Sequence, residues 1–224
     1  MNTNQKTPPG QALTLYHYWR SSSSWRVRWA LKIKGIPYHD VPVNLLANAQ
    51  KSPDFLKVNP IGFVPAIETE GKCFGESLAI LEWLEETHPA PAPALLPKDP
   101  LDRLQVRQLM FQIACNTQPL QNLSTMRQHS LDKDTQQAWA AHWIATGLAG
   151  YEKLLQHGKP GKFSVGDVVT MADLCLVPQI YNARRFNVDV AQWPLLSAIG
   201  ERCLILPECK AAHPDRQPGA QLLA

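Results

Sequence analysis

The spacing of apolar and polar residues changes period several times in the first ninety positions and then stays helical. "LTLYHY" (Leu13–Tyr18) is an extended run of aromatic and β-branched residues, the pattern of a strand. "SWRVRWALKIKG" (Ser24–Gly35) switches to a helical period. Trp25, Trp29 and Ile33 recur four apart, and Gly35 stands where a left-handed C-terminal cap belongs. "YHDVPVNLL" (Tyr38–Leu46) predicts a second strand and "SPDFLKVNP" a short helix. "VPAIET" and "KCFGE" predict two short strands joined by a turn at Glu70-Gly71. "ESLAILEWLEETHP" (Glu76–Pro89) predicts a helix with Leu78, Leu81 and Leu84 on one face and Pro89 as its stop. The resulting order is βαβαββα.

"HPAPAPALLPKDP" (His88–Pro100) is too rich in proline for helix or strand and reads as an interdomain linker of extended character. Past it the pattern is helical. "LDRLQVRQLMFQIACN" aligns Leu101, Leu104, Gln108 and Phe111, and Pro119 should end or kink that helix. "DTQQAWAAHWIATGLAGYEKLLQHG" aligns Trp139, Trp143, Leu148, Tyr151 and Leu155 and closes on Gly158. In "VTMADLCLVPQIYNARRF", Thr170 and Asp173 make a capping box, with Val169 and Leu174 as a hydrophobic staple. A last helix is expected around "PLLSAIGERCLIL". The fold class is α/β plus all-α: a disordered leader over 1–12, an α/β domain over 13–90, a proline-rich linker over 91–100 and an all-helical domain over 101–224.

Composition narrows the function classes. The chain has 224 residues, enough for one large domain or two small ones, and 45% apolar against 18% charged content suits a globule with a core. A net charge of +3 without a dense Lys/Arg block argues against nucleic acid as a partner. Apolar runs are short, so no membrane span is expected, and the polar N-terminus lacks a signal core. The cysteines at 73, 115, 175, 203 and 209 form no C-x-x-C and have no histidine at ligand spacing. They read as buried, reduced thiols of a cytoplasmic protein, with no metal.

The candidate chemistry begins with four consecutive serines, Ser21 to Ser24, between a strand and a helix. One serine suffices to cap a helix. The surplus hydroxyls can donate to an anion held at the same helix end, and a thiolate is such an anion. A thiol pKa of about 8.5 falls by a unit or more in such surroundings. The run has no thiol of its own, so the thiol must come with a ligand. In "NPIGFVPAI", Pro65 opens a strand; a cis Val64–Pro65 bond would turn the Val64 amide groups toward an extended peptide. In "GESLAI", Ser77 offers a hydroxyl and an N–H to a carboxylate while Glu76 can take an ammonium. In chain order these three stretches suit a thiol, a peptide backbone and an amino-acid terminus.

"SSSSWRVR", "NP…VPAI", "ESLAI", "LLPKDP", "QPLQNLS" and "VTMADLCLVPQIYNARRF" resemble the zeta class of the glutathione transferases from about Leu13 to about Pro218. The resemblance implies a thioredoxin-like N-terminal domain, an all-helical C-terminal domain and a homodimer. Reduced glutathione would lie near Ser21, Ser22, Ser23 and Arg26, with Val64 and Pro65 pairing its backbone and Glu76 and Ser77 holding its γ-glutamyl end. Gln50, Gln118, Asn122, Leu123 and Ser124 would be further contacts, and Arg20 and Arg185 would bind a small-molecule diacid. The implied reaction is cis–trans isomerisation of 4-maleylacetoacetate to 4-fumarylacetoacetate in tyrosine breakdown, through reversible thiolate addition. Maleylpyruvate as substrate, or conjugation, peroxide reduction and dehalogenation with glutathione, are the alternatives, followed by a non-catalytic scaffold. One position departs from the family motif Ser-Ser-Cys-Ser: Ser23 stands where the cysteine belongs.

Overall fold

The computed structural model describes residues 13–158 and 160–220, so the leader expected over 1–12 lies outside the described residues. The chain begins with β1 (Leu13–His17), α1 (Ser22–Ile33), β2 (Tyr38–Pro42), α2 (Pro53–Val58), β3 (Ala66–Thr69), β4 (Lys72–Phe74) and α3 (Ser77–Thr87). This is the predicted βαβαββα order of a thioredoxin-like unit. It continues through α4 (Pro100–Ala114), α5 (Leu123–His129), α6 (Lys133–Gly158), α7 (Met171–Arg185), α8 (Pro194–Leu204) and α9 (Pro207–Ala212). The sheet order is β2-β1-β3-β4, with β1 parallel to β2 and antiparallel to β3. The β3–β4 turn uses Glu70 and Gly71, both at positive φ (50° and 71°), as a right-twisted hairpin requires.

Helix α1 starts two residues earlier than its apolar period suggests. Ser21 is the cap, and its Oγ accepts from the Ser24 N–H at 3.2 Å, drawing the rest of the serine run into the first turn. Its far end closes as expected on Gly35 at φ +65°. The Gly35 N–H reaches the Lys32 carbonyl at 3.2 Å and the Ile36 N–H reaches Leu31 at 2.9 Å, a Schellman motif. Between these ends α1 is buried nearly all round, because it packs on α3, α7 and α9 together and shares one apolar core with Leu15 and Ile67 of the sheet. Its two arginines, Arg26 and Arg28, are 1% and 0% exposed.

Arg28 draws three segments together. It donates to the Tyr18 carbonyl (3.4 Å), the Trp19 carbonyl (2.9 Å), the Ala212 carbonyl (3.2 Å) and His17 Nδ1 (2.9 Å). A guanidinium only donates, so His17 Nδ1 must accept and the ring proton sits on Nε2, hydrogen-bonded to the Asp40 carboxylate. Burial alone would push the Asp40 carboxyl up, but His17 and Arg28 outweigh it and hold it below the usual carboxylate range.

The proline-rich segment is strapped down rather than loose. Leu95 and Leu96 are buried, and the Leu95 N–H donates to Glu85 at 3.0 Å. Lys34 pairs with Glu85 at 2.9 Å and donates to the carbonyls of His88 and Pro93. The Leu95 carbonyl accepts from the Met171 N–H at 3.0 Å, which ties the segment to the start of α7.

The face of α4 on which Leu101, Leu104 and Phe111 align is not the core face: Val106, Leu109, Met110 and Ile113 are buried, while those three are exposed at 74%, 64% and 43%. Two apolar stripes share this helix, and periodicity cannot say which one meets the core. The thiols are not all buried either. Cys175, Cys203 and Cys209 are, Cys73 is half-buried, and Cys115 is exposed. All five are free.

The capping box of α7 forms as predicted. The buried Asp173 carboxylate accepts from the Thr170 N–H (2.8 Å) and hydroxyl (3.1 Å) and from the Ser164 N–H (2.9 Å). Thr170→Ala is expected to cost about 1 kcal/mol. Asp173→Ala, which strands two buried N–H donors, should cost about 3 kcal/mol or more. Urea unfolding of both variants checks the order; equal losses would show that the cap does not depend on the carboxylate.

Candidate active site

A cavity of about 660 Å³ opens where the ends of β1 and β3 meet α4, α5 and α7, a size suited to a small-molecule ligand. The N-termini of α1 and α3 face it, each contributing unpaired N–H groups and a partial positive charge. Every residue that the resemblance placed at the glutathione or diacid site lines it. Ser21, Ser22 and Ser23 come from α1, Val64 and Pro65 from the approach to β3, and Glu76 and Ser77 from the start of α3. Gln50 enters from the loop before α2, Gln118 and Asn122 from the segment between α4 and α5, and Leu123 and Ser124 from the first turn of α5. Arg20, Arg26 and Arg185 complete the set.

The serines differ in how their hydroxyls are used. Ser21 Oγ accepts from the Ser24 N–H as the cap. Ser22, 7% exposed, accepts from Asn182 Nδ2 at 2.7 Å. Ser23 donates to Gln118 Oε1 at 3.0 Å, and Gln118 in turn donates to Asn122 Oδ1 at 3.0 Å. Ser24 is wholly buried and accepts from the Tyr18 N–H at 3.4 Å, so it is structural. Thus Ser21 and Ser22 keep their protons for the cavity, whereas that of Ser23 is committed.

The loop before β3 is shaped by local polar contacts. Asn59 donates to the Phe63 carbonyl at 2.8 Å and accepts from the Ile61 N–H at 3.2 Å. Gly62 adopts φ +70°, and a Cβ there would stand 2.8 Å from the Gln50 carbonyl oxygen, so only glycine fits. The Val64–Pro65 bond that follows is cis. Glu76, the residue before α3, has φ +64°, a backbone conformation that a non-glycine residue adopts at some cost. Arg26 reaches across from α1 to Ser77 Oγ at 3.3 Å, while its Nε and Nη2 find no partner among the described residues. A buried positive charge therefore stands behind the α3 N-terminus.

Positive charge also gathers at the opposite end. Arg185 is pushed down to about 10 by burial and then by the neighbouring charge of Arg20. Each guanidinium stacks on the aromatic ring beside it, Arg20 on Trp19 and Arg185 on Phe186, at 5.3 Å. Arg184, next in sequence, is exposed, so only one member of the pair serves the cavity. Two cations pressed together at a concave surface suit a ligand with two carboxylates.

Sequence reasoning missed several lining residues, among them Tyr18, Phe63, Cys115, Arg127, Asn182 and Phe186. Asn182 carried a signal: it lies three positions before Arg185, on the same face of a helix. The others are brought in by tertiary packing alone. Among the described residues no cluster of His, Cys, Asp and Glu could hold a metal ion.

With this geometry in view, comparison with known proteins defines the class. Residues 11–86 match the glutathione S-transferase N-terminal domain. A maleylacetoacetate isomerase of Rattus norvegicus is 48% identical over 206 residues, 91% of this chain and 93% of that protein. Among solved structures, the maleylacetoacetate isomerase of Anaeromyxobacter dehalogenans with bound dicarboxyethyl glutathione and citrate is 43% identical, with a TM-score of 0.83 and 94% of both chains covered. A bacterial zeta-class maleyl pyruvate isomerase in holo form is 38% identical with a TM-score of 0.88, covering 93% of this chain and all of that one. The chain belongs to the maleylacetoacetate isomerase family of zeta-class glutathione transferases.

The Ser23–Gln118 bond joins α1 to the segment after α4. Ser23→Ala and Gln118→Ala are each expected to lower stability by about 1 kcal/mol, or about 2–4 °C in melting temperature. The double variant should lose little more than either single one. Fully additive losses would mean that the two side chains act separately.

Proposed function

We propose that this protein is a glutathione-dependent cis–trans isomerase of a maleyl diacid, foremost 4-maleylacetoacetate, in the breakdown of tyrosine and phenylalanine. The observation that carries this reading is one cavity with two free serine hydroxyls at a helix N-terminus and a pair of arginines, Arg20 and Arg185. The residues fit glutathione: a cavity of about 660 Å³ leaves room for a tripeptide and a small diacid, and a hydroxyl donor at a helix N-terminus favours a thiolate. Bound glutathione supplies a thiolate that adds reversibly to the cis double bond, which then rotates as a single bond before the thiolate is expelled.

The chain's own groups make this possible. Ser21 and Ser22 hold negative charge on sulfur, assisted by the positive end of α1. The Val64 backbone pairs with the peptide; Ser77, with Arg26 behind it, takes the terminal carboxylate; and Glu76 takes the ammonium. Gln50, Gln118, Asn122, Leu123 and Ser124 close the peptide side. Arg20 and Arg185 anchor the substrate carboxylates and spread the charge that develops on its carbonyl. Dicarboxyethyl glutathione, found with the Anaeromyxobacter relative, is what results when a thiol adds across a butenedioate double bond, which supports the same chemistry. Five unpaired cysteines support a cytoplasmic setting.

Similarity to the maleyl pyruvate isomerase favours maleylpyruvate as the second reading. An ultraviolet assay of the two substrates side by side, with and without glutathione, decides. Turnover is expected to require glutathione without consuming it. Ser22→Ala should lower kcat/KM by about 10²-fold, and Arg185→Gln should raise KM for the diacid with glutathione affinity retained. Turnover undiminished without glutathione would sink the proposal, net consumption would indicate conjugation or peroxide reduction, and calorimetry without binding would indicate a scaffold.

A homodimer belongs to this reading. The exposed stripe of Leu101, Leu104 and Phe111 on α4 is the apolar surface a second copy would cover. Sedimentation should give twice the 25.0 kDa chain mass, and Leu104→Glu should shift it to monomer. A wild-type protein that sediments as monomer refutes the dimer.

A further inference from the structure

The availability of the Ser22 proton is set by a residue far from the serine run. Asn182, in the last turn of α7 and 7% exposed, touches two groups of the site. Its Oδ1 accepts from Arg185 Nη1 at 2.9 Å, and its Nδ2 donates to Ser22 Oγ at 2.7 Å. Chemistry forces this orientation. A guanidinium has no acceptor, so the carboxamide must turn its oxygen to Arg185 and its NH₂ to Ser22. Ser22 Oγ therefore receives a hydrogen bond and must give its own proton elsewhere. The carbonyl one turn back, that of Tyr18, already accepts from the Ser21 N–H at 3.0 Å and from Arg28 at 3.4 Å. The open direction is the cavity that Ser22 lines.

We propose that Asn182 is a positioning residue that aims the Ser22 hydroxyl at the thiolate and holds the Arg185 guanidinium toward the diacid. One amide then sets both the donor to the nucleophile and an anchor for the electrophile. Accepting a bond from Asn182 also polarises the Ser22 hydroxyl and makes it a stronger donor. The proposal rests on the thiol-site reading above and adds to it the group that selects which proton the thiolate meets.

The test compares Asn182→Asp and Asn182→Ala, each with Ser22 intact and in a Ser22→Ala background, using the full-length protein. The readouts are the pKa of the bound glutathione thiol, titrated by thiolate ultraviolet absorbance, and KM for the diacid. Asn182→Asp keeps an acceptor for Arg185 but takes the Ser22 proton for itself. The bound thiol pKa should rise by about one unit, a tenfold loss of thiolate, and KM should rise because the new carboxylate neutralises Arg185. Asn182→Ala should raise KM as well and lift the thiol pKa by less. With Ser22→Ala, Asn182→Ala should not move the thiol pKa further, and Asn182→Asp should move it only by the smaller amount its charge adds. An unchanged thiol pKa in both variants overturns the proposal, as does an equal rise with and without Ser22, which is what a merely structural role would produce. If the Asp variant does not fold, the Ala variant in the two backgrounds decides the same question. A wild-type protein that does not depress the thiol pKa removes the thiol-site reading and this inference together; a depressed value that the variants leave unmoved removes this inference alone.

Discussion

A guanidinium cut off from water must find acceptors for its donors, and Arg28 finds them in the strand β1, the turn after it and the helix α9. That requirement organises this end of the molecule. The carbonyls of Tyr18 and Trp19 are held in place, so the chain enters α1 at a set angle with Ser21 as cap and Ser22 and Ser23 in the first turn. His17 is locked into one tautomer and connects the arginine to Asp40 at the edge of the sheet. Removing one partner of such a network leaves a buried charge unmatched, which is why it behaves as a unit.

The cavity lies on the seam between the α/β part and the helices, and the two sides bring different chemistry. From the α/β part come two helix N-termini, their hydroxyls and the backbone of Val64: groups that donate to anions or pair with a peptide. From α7 comes Arg185, desolvated enough to be pushed down to about 10 and therefore eager for a carboxylate. Asn182 joins the two sides through Ser22, while Gln118 does so through Ser23. The same contacts that pack α1 on α7 therefore bring the thiol end and the diacid end within reach of each other.

Much of the fold was legible because the signals were local. The hairpin turn, the Schellman end of α1, the capping box of α7 and the strand–helix alternation each depend on residues within a few positions. Where the prediction failed, the competing effect was tertiary. Which face of α4 meets the core was not legible, because Leu101, Leu104 and Phe111 keep helical spacing as well as Val106, Leu109 and Ile113 do. The linker read only as extended, because its proline content hid Leu95 and Leu96, which the fold uses as anchors. Cys115 read as a buried thiol, yet it lies at the end of α4 on the rim of the cavity.

Within the site, the sequence by itself determined the kinds of groups: serines at a helix start, a Val-Pro strand entry, a Glu-Ser helix start and an arginine pair late in a helix. These were readable because helix ends and strand starts are local events with local residue preferences. Only the tertiary structure decided which hydroxyl keeps a free proton, which of two adjacent arginines meets the cavity, and that two arginines of α1 lie in the core. Hydrogen-bond availability and burial depend on partners as distant as the 160 positions between Ser22 and Asn182, and no local pattern encodes a contact of that separation.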